Sequence, residues 1–184
     1  MLKVKELATG KALDSFCKKC KDLGYNNNKD LKAMKYYWLL ARGGVWHCVK
    51  DADLNIVSLA GCHPLPQVND KAWRVQFRGV QLPHDYGTGL SKYFMSSLIW
   101  RLILPYQLEF LKNTHNNTQE IYCSTTNLDN SGRMHRIHKM FFILEKLDLV
   151  VKYADMELYN TDQTVWKINT KKYYEVRSRV NSIK

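Results

Sequence analysis

The chain has 184 residues, with 28 Lys plus Arg against 17 Asp plus Glu, which gives a formal charge of +11. With 45% hydrophobic residues, 12% aromatic and four prolines, its composition excludes the disordered, collagen-like and disulfide-scaffold classes. The length fits a single domain across residues 1–184.

No apolar run reaches the roughly 18 to 20 residues of a membrane helix. The nearest, from Phe94 to Leu111, is broken by Arg101, Pro105 and Glu109, so no membrane contact is expected. The N-terminal Met1 to Glu6 alternates charged and apolar residues without an apolar signal core. Five cysteines, an odd number, read as free thiols, and the expected location is the cytoplasm. Cys17 and Cys20 form a C-x-x-C with no second pair to complete four ligands, so no metal is expected there.

Residues 2 to 7 read as a short strand. From Lys11 to Leu23, apolar Leu13, Phe16, Cys17, Cys20 and Leu23 recur at three and four, which is one helical face with lysines opposite. Gly24 and the asparagines after it end that helix, and a second runs from Asp30 to about Trp38, before Gly43 and Gly44. Val45–Lys50 and Ile56–Leu65 are extended, joined through the polar turn Asp51 to Asn55. A third strand, Ala72 to Leu82, alternates Trp73, Val75 and Phe77 with Arg74, Gln76 and Arg78. Folding about Asp53 and Leu54 sets Cys48 nearly opposite Leu59, which offsets His47 and Cys48 from Cys62 and His63 and disfavours a shared metal.

A long apolar helix follows from Leu90 to about Lys112, which Pro105 must kink or divide. Ile121 to Ser124 reads as a short buried strand, and a helix runs from the caps around Asn127 to Ser131 towards Leu147. Leu149 to Leu158 and Thr164 to Asn169 or beyond alternate as a closing hairpin. The expected fold class is α/β, a mixed and mostly antiparallel sheet with helices on both faces.

The stretch from Val80 to Ser91 joins a strand to a helix. Gly87 and Gly89 remove side chains where the backbone turns, so successive N–H groups can converge with the positive end of the following helix on an anion. No Lys-Ser or Lys-Thr follows these glycines, which excludes a Walker A loop, and Lys92 occupies the place of the third dinucleotide-fingerprint glycine. The order of elements and this loop together resemble the GNAT (GCN-type N-acetyltransferase) superfamily, whose acyl-CoA pyrophosphate loop commonly reads V-x-P-x-x-R-G-x-G-L-G. Pro83, Gly87, Gly89 and Leu90 match that wording. Tyr86 stands where the family usually has Arg or Gln, and Ser91 replaces the last Gly or Ala.

The resemblance implies an acetyl-CoA-dependent N-acyltransferase with the GNAT-like fold, acting on an amine of unknown identity by direct attack on the thioester. It implies that Tyr86, Gly87, Thr88, Gly89, Leu90 and Ser91 hold the cofactor, while strand N–H groups near Val80 and Leu82 polarise the acyl carbonyl. The family often places a carboxylate base on the fourth strand and a tyrosine acid near the end of the fourth helix. Here that strand has no carboxylate, and Leu144 falls at the tyrosine position. Substitute catalytic candidates are His135, His138 and Tyr122, with Cys123 and Ser124 beside the last. The run Arg133 to Lys139 reads, alternatively, as a solvated basic face.

The basic residues are dispersed, with neither an RNA-recognition strand nor a helix-turn-helix reading face. They suit an anionic cofactor. The alternative is a non-catalytic CoA-binding module, or a basic module that contacts nucleic acid non-specifically. A monomer or homodimer is expected.

Overall fold

The computed structural model describes residues 2–22, 32–80, 99–115, 120–126 and 136–181. Among them are seven strands and five helices, a mixed α/β set in which the pairs that define each unit below are antiparallel. The chain divides into two compact units, Met1–Gln119 and Glu120–Lys184.

In the first unit, β1 (Lys3–Glu6), β2 (Val45–Lys50), β3 (Ile56–Pro64) and β4 (Ala72–Val80) lie side by side in that order. The β2–β3 register puts Cys48 opposite Leu59 and Val45 opposite Cys62, as the hairpin reading predicts. Its turn is fastened by Asp51, whose Oδ1 accepts the amides of Asp53 at 3.0 Å and Asn55 at 2.9 Å. Helix α1 (Gly10–Asp22) and helix α2 (Ala33–Leu40) cover one face of this sheet. There Leu13, Phe16 and Cys20 from α1 and Tyr36 and Leu39 from α2 pack with Trp46, Cys48 and Leu59. Each such fully buried apolar side chain contributes roughly 1.5–3 kcal/mol, before conformational entropy is subtracted.

Polar contacts fix this corner further. The Tyr36 hydroxyl donates to the Ala8 carbonyl at 2.8 Å, and the Asp14 carboxylate accepts the Ala33 amide at 2.6 Å, satisfying one of the open donors at the start of α2. On the opposite face, a π-helical turn (Ile99–Ile103) runs into α3 (Leu104–His115). Pro105 is the second residue of α3, directly after the π-helical turn; its missing N–H removes one hydrogen bond from the helical run 99–115, and the irregularity expected there takes the form of this change of helix type. Tyr106 and Phe110 of α3 lie edge-on to His47, with centroids at 5.1 and 5.3 Å. Within this unit, helices therefore cover both faces.

In the second unit the strands lie in the order β5 (Glu120–Thr126), β7 (Asp162–Ile168), β6 (Val150–Glu157). Helix α4 (Arg136–Lys146) buries Phe141 and Leu144. The closing hairpin stops at Ile168 and does not continue. Residues Thr170–Asn181 form α5, because the Asn169 side chain accepts the Lys172 amide at 3.1 Å as a helix cap and Tyr173 is fully buried. Among the described residues, no helix is long and apolar enough to cross a membrane.

Gly44 marks a tight approach in the first unit. A Cβ placed there would stand 2.7 Å from both the Cys62 carbonyl oxygen and the His63 Cβ. Gly44→Ala is therefore expected to destabilise the protein by about 1–3 kcal/mol in urea unfolding, since backbone must move to admit the methyl. An unchanged midpoint would mean that the α2–β2 junction is looser than this packing.

Candidate functional site

The strand leading to the glycine loop has one irregularity. Gly61 pairs with Gln76 and Leu59 with Gly79, so Ala60 alone faces both Phe77 and Arg78, and β4 carries one extra residue. Such a bulge breaks the ladder locally, frees backbone groups and increases the strand's twist. Val80 closes the strand opposite Ser58. The remaining residues of the expected cofactor loop, Leu82, Tyr86, Gly87, Thr88, Gly89, Leu90 and Ser91, lie outside the described residues, as does His135. The bulge thus stands immediately before the loop in the chain. No Asp or Glu occurs on β4.

Tyr122 and His138, the other two candidates, lie in the second unit on different faces of its strands. Tyr122 is buried on β5 opposite Lys167, and its hydroxyl donates to the Glu120 carboxylate at 2.7 Å. Lys167 also pairs with Glu120. Glu120 and Lys167 were not singled out in the sequence, although the i, i+2 spacing of Glu120 and Tyr122 places both on one face of a strand. Ser124 shares that face and bonds to Gln163, whereas Cys123 points the other way and is buried.

His138 is 5% exposed, which corrects the solvated-face reading of this position; its neighbour Lys139 does face solvent. The Trp166 indole N–H donates to the Thr125 hydroxyl at 3.0 Å, and that oxygen lies 2.8 Å from His138 Nδ1. Phe142 stands edge-on to the same ring at 4.8 Å.

Two further histidines are buried in the first unit. His63 is hydrogen-bonded at both nitrogens, Nδ1 to the Pro64 carbonyl at 2.7 Å and Nε2 to the Gln76 side chain at 2.8 Å; burial lowers its pKa. His47 lies on the opposite face of the sheet, and desolvation pulls its pKa from 6.5 to about 4. Burial disfavours the charged form of three thiols in the same way. Burial pushes Cys17 up to about 12 and raises Cys48 and Cys62 as well. All five cysteines are free. Among the described residues, no group of three His, Cys, Asp or Glu is gathered to hold a metal.

No protein-family model and no curated protein matches the chain. Solved structures do. An acetyltransferase of the GNAT family from Staphylococcus aureus superposes with a TM-score of 0.56 at 14% identity, covering 91% of this chain and 98% of that one. A spermidine N-acetyltransferase from Vibrio cholerae, solved as a dodecamer, gives 0.53 at 14% identity, covering 94% and 95%. A chimera of that enzyme with a human counterpart gives 0.54 at 14% identity, covering 94% and 98%. The chain has the fold of the GNAT acetyltransferases.

His47 makes the fold sensitive to acid. Its folded pKa lies below the unfolded value, so its contribution is complete above pH 6.5 and is lost as pH falls towards 4, by up to about 3 kcal/mol. Urea unfolding of the wild type and of His47→Phe over pH 4–7 checks this: the variant should lose less stability between pH 6.5 and 4. Equal slopes would contradict the assignment.

Proposed function

We propose that the protein is an acetyl-CoA-dependent N-acetyltransferase acting as a single domain. The observation that carries this reading is the extra residue on β4, immediately before the Pro83-to-Leu90 loop, in a chain with the GNAT fold. Backbone N–H groups from Tyr86 to Ser91 receive the pyrophosphate, and those of β4 near Val80 and of Leu82 polarise the acyl carbonyl. The free thiols fit a reducing compartment, the cytoplasm.

Transfer proceeds by placement. The amine lone pair attacks the thioester carbonyl, the C–S bond breaks, the amine nitrogen gives up a proton and the departing sulfur gains one. β4 supplies no carboxylate to speed the first proton, and Tyr122 and His138 are engaged with Glu120 and Thr125. The enzyme therefore relies on the fraction of acceptor that is already neutral. The spermidine enzymes of the same fold act on a polycation; a chain with a charge of +11 repels one, which favours neutral or anionic amines as acceptors. The same missing carboxylate favours the second reading, a CoA-binding module without turnover.

With acetyl-CoA and a panel of primary amines, kcat/KM should rise tenfold per pH unit up to the acceptor's own pKa. Gly87→Val and Gly89→Val should raise the acetyl-CoA KM by about tenfold or more. Tyr122→Phe should lower kcat by less than about tenfold, against the ~10²–10⁴ expected for a dedicated acid. A plateau near neutral pH with a strongly basic amine would reveal an enzyme base. Acetyl-CoA binding without turnover of any amine would favour the silent module.

A further inference from the structure

A cleft of about 370 Å³ opens between α1 and the β2–β3 turn, apart from the glycine loop in sequence. Ser15, Phe16 and Lys19 line it from α1, and Lys50, Leu54 and Ile56 from the hairpin. Phe16 is 3% exposed and gives the cleft an apolar wall shared with the core. The two lysines supply its charge, and no carboxylate is among the described residues that line it. Lys3 of β1 stands directly opposite Lys50, a like-charge cross-strand pair that is mildly destabilising by itself.

The rim holds a second, independent observation. Leu54 is 68% exposed and its backbone sits at φ 64°, a left-handed conformation that favours Gly, Asn or Asp. Asn55 lies next to it at an ordinary φ. Stability alone would not select an exposed leucine at that φ. The turn is nonetheless held firmly, by the Leu54 amide donating to the Asp51 carbonyl at 3.2 Å and by both oxygens of the Asp51 carboxylate, which accept from Asp53 and Asn55. A rigid turn therefore presents an apolar side chain at the cleft mouth, at a conformational cost.

We propose that this cleft binds a small amphipathic anion, with its carboxylate or phosphate between Lys19 and Lys50 and its apolar body against Phe16, Leu54 and Ile56. The volume falls in the range of small-molecule sites, and the arrangement of a few charged groups around apolar walls is the usual one. The site goes beyond the proposed transferase activity and needs no acetyl-CoA. It would stand if that activity failed.

The test is a titration of the ¹⁵N-labelled full chain with 4-phenylbutyrate, with 4-phenylbutylamine as the cationic counterpart. The carboxylate should shift amides of residues 15–19 and 50–56 with saturation at millimolar ligand or below, and the amine should bind about tenfold more weakly or not at all. Lys19→Gln combined with Lys50→Gln should weaken the carboxylate by about tenfold. Leu54→Asn separates ligand binding from folding: relief of the left-handed strain should hold or raise the melting temperature, while affinity falls about fivefold. Absent or scattered shifts, an equal response to the amine, or unchanged affinity in the lysine variant would overturn the proposal. So would a Leu54→Asn protein that binds as well as the wild type.

Discussion

The pairing of β3 with β4 is the constraint on which the first unit and its proposed chemistry depend. β3 is buried from Val57 to His63 on both faces, so a one-residue slip would exchange the residues facing α1 and α2 for those facing α3. The ladder absorbs its extra residue at Ala60, where a small side chain faces two partners on β4. Beyond that point β4 runs only to Val80, so the bulge falls within its last few residues. β3 also takes a close backbone approach, at Gly44, and carries the Ala60 carbonyl that the buried Gln107 reaches from α3 at 3.4 Å.

Much of this was legible in the sequence. The Asp51 to Asn55 turn joins two apolar runs of similar length, and the fold about Asp53 and Leu54 gives the observed register of Cys48 against Leu59. The α1 face was equally plain, because Leu13, Phe16 and Cys20 recur at helical spacing and are the residues buried. Helix α5 was missed because Tyr173, Tyr174 and Val176 have strand propensity and follow an alternating run without a break. The cap at Asn169 was the available signal, and burial of Tyr173 decides the outcome. The bulge was not legible, since it arises from pairing between strands and not from either strand's own pattern. Burial of His138 was hidden by its basic neighbours, whose charges suggested a solvent face while the Thr125–Trp166 pair drew the imidazole inward.

The charge of +11 acquires a more specific meaning in this structure. Part of it lies at one cleft, which Lys19 of α1 and Lys50 of β2 line, with Lys3 of β1 paired to Lys50. A protein with this field favours anionic ligands over polycations. Both proposed sites follow that preference, one through backbone N–H groups at a glycine loop and the other through lysine side chains over an apolar wall.

Isothermal titration of acetyl-CoA into the folded chain tests the central claim most directly. The account predicts saturable binding with about one site per chain and a Kd of roughly 1–100 μM, weakening as salt screens the basic surface. No heat at millimolar acetyl-CoA, with the protein shown to be folded by circular dichroism, would contradict it.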